Sequence, residues 1–194
     1  HATIRRQRQM CIRDSWDTES QKASVRHALE MAENLPVKVA LSLSDPFCVE
    51  RHHQDFNELI RSRVDLLFCN QEEAFTMMET QVTQEALAGL SENVETVVMT
   101  LGNRGSLICN QGQIYYIDPI EVEVVDTTGA GDAYAAGFLY GFSHDQSIMN
   151  CGRIASVMAG TVIEQIGPRI ETASMKTLTV SYTHLTLPTN GCVV

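Results

Sequence analysis

The chain is poor in positive charge and has no long apolar run. It carries 14 Lys and Arg against 24 Asp and Glu, which gives a formal net charge of -10. Because a field of that sign repels phosphate backbones and anionic lipid, we expect no nucleic-acid or membrane partner. No apolar run approaches the ~20 residues that a membrane-spanning helix needs. The length of 194 residues, with 44% hydrophobic residues, is typical of one globular domain.

The six cysteines lack the spacing of a metal site. They contain no C-x-x-C pair, and no histidine lies at ligand spacing from any of them. Scattered cysteines are typical of reduced thiols in a cytoplasmic protein, which is the location we expect. Three disulfides in a secreted protein are the alternative, disfavoured because residues 1–15 lack the pattern of a signal peptide. The cysteines are Cys11, Cys48, Cys69, Cys109, Cys151 and Cys192.

Both ends differ in composition from the middle of the chain. Residues 1–15 contain four Arg and one Asp, whereas residues 180–194 contain no Lys, Arg, Asp or Glu. A basic targeting or nucleic-acid-binding arm is one interpretation of the first segment. We favour a second interpretation, in which both segments are non-native, because they resemble translated sequencing-adapter sequence. We therefore expect the native domain to occupy residues 16–179.

The middle of the chain alternates between helical and strand patterns. Apolar residues spaced by three and four predict helices, and short β-branched runs predict strands. This alternation, with nearly continuous apolar strands, is typical of an α/β fold whose mostly parallel sheet has helices on both faces. The predicted helices are 16–35, 47–60, 71–78, 84–90, 130–142 and 148–166, and the predicted strands are 37–43, 65–70, 96–100, 106–110, 113–118 and 122–125.

The segment DTTGAGDAYAAGFL (126–139) carries most of the functional information. It follows the last predicted strand and begins a helix, the position at which open α/β sheets bind ligands. Gly129 and Gly131 allow backbone N–H groups to crowd together at the helix N-terminus, which makes an anion pocket. Asp132 then lies within reach of the bound group. Without further support, Asp132 would only complement the helix dipole and the two glycines would only form a turn.

Two common nucleotide-binding motifs are excluded by inspection. A Walker A loop requires a Gly-Lys pair, and the chain contains none. A dinucleotide-binding fingerprint requires Gly or Ala at the position where this chain has Tyr134.

The segment 126–139 resembles the second signature of the ribokinase (PfkB) carbohydrate kinase family. The resemblance implies a ribokinase-like fold and ATP-dependent phosphoryl transfer with Mg²⁺. It implies that Asp132 is the catalytic base, which takes the proton from the substrate hydroxyl. It also implies that the backbone amides of Gly129, Ala130 and Gly131 hold the transferring phosphoryl group.

Two further segments resemble motifs of the same family and occur in the family order. Asn70 and Glu73 match an N-x-x-E motif that organises Mg²⁺ and phosphate, largely through water. Thr100, Gly102 and Gly105 match a T-x-G-x-x-G loop that wraps ATP. Taken alone, the first motif is a helix capping arrangement and the second is a hairpin turn.

The resemblance implies roles for other residues less directly. Ser156 falls where many relatives place a residue near the adenine, although a small residue there also suits helix packing. Asp126, Thr128 and Gly167 match positions that hold a monovalent cation such as K⁺ in many relatives.

The resemblance covers the C-terminal portion of the family, over residues 16–179. It implies that the N-terminal half and the small β lid are absent from this chain, so we expect weak or no kinase activity from it. Segments 41–53, 64–74 and 151–169 resemble the adenosine kinase-like group, which favours a nucleoside substrate. The alternatives are a sugar kinase of the ribokinase or fructokinase type, a non-catalytic nucleotide-binding module, and a purely structural domain.

Overall fold

The computed structural model describes residues 16, 18–33 and 35–169. The two segments predicted to be non-native, 1–15 and 180–194, lie outside the described residues. The helices are α1 (Glu19–Ala32), α2 (Pro46–Arg51), α3 (His53–Ser62), α4 (Gln71–Met78), α5 (Thr83–Ser91), α6 (Ala130–Ser143) and α7 (Ile148–Ile163). The strands are β1 (Ala40–Ser42), β2 (Leu66–Asn70), β3 (Thr96–Thr100), β4 (Ser106–Asn110) and β5 (Gln113–Ile117), with a 3₁₀ turn at Gly102–Arg104.

The strands form a mixed sheet in the order β1-β2-β3-β4-β5. Strands β1 and β2 are parallel, and β4 and β5 form an antiparallel hairpin in which Asn110 lies opposite Gln113. The predicted α/β class is therefore confirmed. The chain divides into two compact units, the first ending at Met99 and the second beginning at Thr100.

The core of the first unit is built on β2 and β3. The first four residues of each strand are buried, which explains their almost uninterrupted apolar sequences. Helix α5 adds Ala86, Leu87 and Leu90, each at most 1% exposed. Full burial of each leucine contributes roughly 1.5–3 kcal/mol relative to exposure.

The second unit combines the β4–β5 hairpin with the antiparallel pair α6 and α7. Small residues let the two helices approach closely. A Cβ atom at Gly137 would lie 2.8 Å from the Cα of Ala155, and one at Gly141 would lie 3.1 Å from the Cα of Cys151. Larger residues at these glycines would push the helices apart. Close packing on α7 therefore fixes the position of α6, which begins immediately after Gly129.

The predicted strand 122–125 is wrong. These residues have no strand structure, and Val124 and Val125 are 62% and 54% exposed. The N–H groups of Val125 and Asp126 both donate to the carbonyl of Ile163, at the end of α7. The β-branched sequence suits a strand, but its backbone is held by a helix terminus instead of a neighbouring strand.

Two helix predictions need correction. Helix α7 ends at Ile163, and Ile166, which we placed on its apolar stripe, is 88% exposed. The segment 47–60 forms two helices, because α2 ends at Arg51 and α3 begins at His53, with the non-helical His52 between them. Asp45 caps α2, with its carboxylate accepting from the N–H of Phe47 at 2.8 Å.

Candidate functional site

The glycine-rich segment builds the N-terminus of α6 around one left-handed residue. Gly129 is the N-cap residue, with φ of 83°, and it makes no side-chain capping bond. A Cβ atom at this position would also overlap the Cβ of Pro168. The first helical hydrogen bond runs from the N–H of Ala133 to the carbonyl of Gly129 at 2.9 Å. Helix geometry leaves the N–H groups of Gly131 and Asp132 without an intrahelical acceptor.

The space beyond this helix end is open. Gly131 and Asp132 are both exposed, and a Cβ atom built at Gly131 would meet no other atom within 4 Å. The uncapped N–H groups and the helix dipole favour an anion at this place. The residues present therefore fit a phosphoryl group, and Asp132 provides a carboxylate in the same turn.

Asp126 organises the loop that leads into Gly129. Its Oδ1 accepts from the N–H of Thr128 at 2.9 Å, and its Oδ2 accepts from the N–H of Gly167 at 3.1 Å. The bonds from Thr128 and Gly167 hold the pKa of Asp126 below its ordinary value. The structure thus brings together the three residues that the resemblance associates with a monovalent cation.

The loop of residues 100–105 depends on two glycines with positive φ. Gly102 has φ of 63°, and Gly105 has φ of 82°. The N–H of Leu101 donates to the carbonyl of Gly105 at 2.8 Å, and the hydroxyl of Tyr116 donates to the carbonyl of Arg104 at 2.8 Å. These bonds give the predicted ATP loop, including Thr100 at the end of β3, one defined conformation.

Ser156 lies inside the second unit, away from solvent. It is 9% exposed and lies near the hydroxyl of Tyr134. Tyr134 is 5% exposed and hydrogen-bonds with Ser106, which is fully buried. Sequence reasoning missed the partnership of Tyr134 with Ser106. The available signal was a phenol within a run of small and apolar residues, because a buried hydroxyl needs a partner.

Asn70 and Glu73 lie in the first unit, at the end of β2 and in the first turn of α4. Both Glu73 carboxylate oxygens accept from Asn70, Oε2 from its N–H at 2.9 Å and Oε1 from its Nδ2 at 2.7 Å. The Asn70 Oδ1 accepts in turn from the N–H of Glu73 at 2.8 Å, which completes a capping box. Since both oxygens of Glu73 are engaged, the pair fits a water-mediated contact with Mg²⁺ better than direct coordination.

Burial raises the pKa of Glu73 above its ordinary value of 4.5, although the bond from the N–H of Asn70 opposes the rise. The charges of Asp45 and Glu72 raise it further. The folded state therefore binds the Glu73 proton more tightly than the unfolded state does. The stability that this proton contributes is complete below about pH 4.5 and is lost as the pH rises through the folded-state pKa.

We predict that this loss appears when the wild-type protein is compared with Glu73→Gln. The free energy of unfolding of the wild type, relative to the variant, should fall as the pH rises above about 4.5. Urea unfolding at several pH values between 4 and 7 would measure it. Glu92→Gln, an exchange at an exposed residue whose charge does not act on Glu73, is the matched control. If the free energies of unfolding of the wild type and Glu73→Gln differed by the same amount at every pH from 4 to 7, the raised pKa of Glu73 would be contradicted.

The described residues show few alternatives to this site. Among them, no group of three or more His, Cys, Asp and Glu side chains could hold a metal ion, and no helix is long and apolar enough to cross a membrane. Cys48, Cys69, Cys109 and Cys151 are buried. Burial raises the pKa of Cys151 to about 11, which disfavours a thiolate nucleophile at this position.

An α/β fold with an uncapped, open helix N-terminus and an adjacent carboxylate has the parts that a phosphoryl-transfer site requires. The profile described as pfkB family carbohydrate kinase matches residues 6–174. The chain therefore belongs to that family, and the resemblance noted in its motifs is confirmed.

Individual relatives include kinases of sugars and of nucleosides. An uncharacterized sugar kinase from Archaeoglobus fulgidus is 32% identical over 120 residues, which are 62% of this chain and 48% of that protein. The crystal structure of adenosine kinase from Sinorhizobium meliloti matches with a TM-score of 0.82 and 37% identity, covering 86% of this chain and 51% of that one. The chain spans about half the length of these relatives or less.

A third comparison supports the fold. A double mutant of fructokinase from Vibrio cholerae, in fructose, ADP and potassium ion bound form, matches with a TM-score of 0.70 and 21% identity. The match covers 83% of this chain and 56% of the fructokinase. The predicted ribokinase-like fold is confirmed by these structural similarities.

Proposed function

We propose that the protein takes part in ATP-dependent phosphoryl transfer to a hydroxymethyl group of a nucleoside or sugar, with an adenosine-like nucleoside as the favoured acceptor. The observation that carries the proposal is the N-terminus of α6. It has no side-chain cap, open space beyond Gly131, and Asp132 in its first turn. Family membership makes a transferring phosphoryl group the anion that fits this place.

The residues at the helix end would divide the chemistry between them. The backbone amides of Gly129, Ala130 and Gly131 would hold the phosphoryl group and stabilise its developing charge, which is typically worth about 10²–10³-fold per donor. Asp132 would accept the proton of the acceptor hydroxyl as general base. Mg²⁺ would supply neutralisation of phosphate charge when bound, and Asn70 and Glu73 would hold it through water.

The remaining nucleotide contacts are proposed for the loop and for α7. Thr100, Gly102 and Gly105 would shape the backbone that wraps ATP, with Asn70 contributing to the phosphate side. Ser156 would act on the adenine side, and its burial favours a role in shaping the pocket.

A monovalent cation is proposed for the loop formed by Asp126, Thr128 and Gly167. The loop is already ordered by two backbone N–H groups that donate to Asp126. The potassium ion in the fructokinase structure supports K⁺ as the candidate.

The choice of acceptor rests on similarity outside the catalytic segment. The 37% identity to adenosine kinase from Sinorhizobium meliloti favours a nucleoside. The similarity to a sugar kinase from Archaeoglobus fulgidus supports the alternative of a sugar acceptor. A non-catalytic nucleotide-binding module is the alternative from another class, but binding alone has no need of a carboxylate at Asp132. We propose the cytoplasm as the location, on the negative charge and on the scattered spacing of the cysteines.

The experiment that tests this proposal is a phosphorylation panel with adenosine, other nucleosides, ribose and fructose, each with ATP and Mg²⁺. Because the chain spans about half the length of its relatives, we expect weak or no turnover from it alone. Transfer to adenosine by a longer form of the protein, exceeding transfer to the sugars, would support the favoured acceptor. Normal turnover by the 194-residue chain would contradict our expectation of weak activity, and transfer to sugars alone would reverse the preference.

A further inference from the structure

The hydroxyl of Tyr134 is the centre of a buried polar cluster in the second unit. It lies 2.6 Å from the Oγ of Ser106 and 3.5 Å from the carbonyl oxygen of Gly152, to which it can donate. Ser156 lies near the same hydroxyl. The cluster is shielded from water, since Tyr134 is 5% exposed, Ser106 is fully buried and Ser156 is 9% exposed.

The members of this cluster belong to three segments of the proposed nucleotide site. Ser106 follows Gly105 directly and is the first residue of β4, so it fixes the end of the 100–105 loop. Tyr134 lies two residues after Asp132, in the first turns of α6. Ser156 is on α7, whose carbonyl at Gly152 also lies against the Tyr134 hydroxyl.

We propose that Tyr134 is a positioning residue. Its hydroxyl holds the 100–105 loop in a fixed position relative to the N-terminus of α6 and so sets nucleotide affinity. This inference rests on the proposed function for its consequence on nucleotide binding. The part of the inference that concerns the loop, namely that the hydroxyl holds it, depends only on the contact of Tyr134 with Ser106.

The hydroxyl of Tyr134, and not only its ring, is needed to connect the loop with α6. A phenylalanine would fill the same apolar space beside α7, but it would leave the buried Ser106 hydroxyl without this partner. Burial raises the pKa of Tyr134, so its hydroxyl stays protonated and neutral at physiological pH. The connection between loop and helix is therefore insensitive to pH in that range.

Three variants test the proposal: Tyr134→Phe, the double variant Tyr134→Phe with Ser106→Ala, and the control Tyr115→Phe. Tyr115 is in the same unit, and its hydroxyl donates to the exposed side chain of Gln113 at 2.7 Å. Hydrogen exchange reports the loop directly, because the N–H groups of Leu101 and Gly105 donate within it. Calorimetric titration with ADP and Mg²⁺ reports affinity, and thermal unfolding reports stability.

The proposal predicts that Tyr134→Phe speeds exchange at Leu101 and Gly105 and weakens ADP binding, each by about 3- to 10-fold, the range of one hydrogen bond. The double variant should regain thermal stability, because Ser106 no longer lacks a partner, while exchange and ADP affinity stay altered. Tyr115→Phe should change neither.

Two results would overturn the proposal. One is unchanged loop exchange in Tyr134→Phe, whatever the ADP affinity. The other is a double variant in which loop exchange and ADP affinity return to wild-type values together with thermal stability. The hydroxyl would then serve only to satisfy Ser106 and would not position the loop. A wild-type protein that ignores ADP would contradict the proposed function instead, and the exchange data would still decide whether Tyr134 holds the loop.

Discussion

Replacing Asp132 with Asn should lower the phosphorylation rate by about 10²–10⁴-fold, the usual contribution of a placed general base. Asn has nearly the same size and cannot accept the proton of the acceptor hydroxyl. ADP affinity should stay the same or rise, because the exchange removes a negative charge beside the bound phosphates. The fold should be unaffected, since Asp132 is exposed in the first turn of α6.

The matched control for this exchange is Asp145→Asn, which makes the same charge change beyond the other end of α6. Asp145 is exposed, and its φ of 54° suits asparagine. Rates are compared in a form of the protein that turns over its acceptor, and ADP binding is compared in the 194-residue chain. Equal loss of rate in both variants would remove Asp132 from the role of base. Unchanged turnover in Asp132→Asn would mean that a group other than Asp132 accepts the proton of the acceptor hydroxyl.

Replacing Gly105 with Ala should destabilise the second unit by about 3 kcal/mol or more. The added Cβ would overlap the carbonyl oxygen of Ile117 and lie 3.0 Å from the nitrogen of Pro119. These are backbone atoms, so they cannot move aside as a flexible side chain would. In addition, the backbone of Gly105, with φ of 82° and ψ of -136°, is in a region that is open almost only to glycine.

Gly102→Ala separates the steric overlap of an added Cβ from the cost of the positive-φ backbone. Gly102 also has a positive φ, of 63°, but an added Cβ would meet no atom within 4 Å. Its replacement should therefore cost only about 1 kcal/mol, for the left-handed backbone alone. Urea unfolding of both variants and the wild type measures the difference. Equal destabilisation would show that the overlap with Ile117 is relieved by a shift of the β5 end.

The sequence predicts the elements whose patterns are local. Strand β3 has its predicted bounds because TVVMT is a short run rich in β-branched residues, and the first four of them are buried. Helix α4 was predicted correctly because Asn70 and Glu73 form a capping box that is visible as N-x-x-E. The segment 122–125 has equally strong strand propensity, and it failed because its hydrogen-bond partner is Ile163, some forty residues away.

In the candidate site, too, the local sequence predicts some features, and contacts between distant residues determine the others. The motif located Gly129, Gly131 and Asp132 at a helix N-terminus, and the structure places them there. The requirement for glycine at Gly129 has a second cause, contact with Pro168, that no local pattern indicates. The bond between Tyr134 and Ser106 likewise joins residues 28 positions apart, so only the fold reveals it.

The central claim is that the N-terminus of α6 binds the phosphates of a nucleotide, and the most direct test compares the wild type with Gly131→Ala in a titration with ADP and Mg²⁺. Alanine is favoured over glycine in a helix by roughly 0.5–1 kcal/mol, and its Cβ would meet no protein atom within 4 Å, so the variant should be at least as stable as the wild type. The methyl group would, however, enter the space beyond the helix end. We predict saturable ADP binding by the wild type and binding at least about 10-fold weaker by Gly131→Ala, at equal or higher thermal stability. Equal affinity in the two proteins, or a folded wild type that does not bind ADP, would contradict the account.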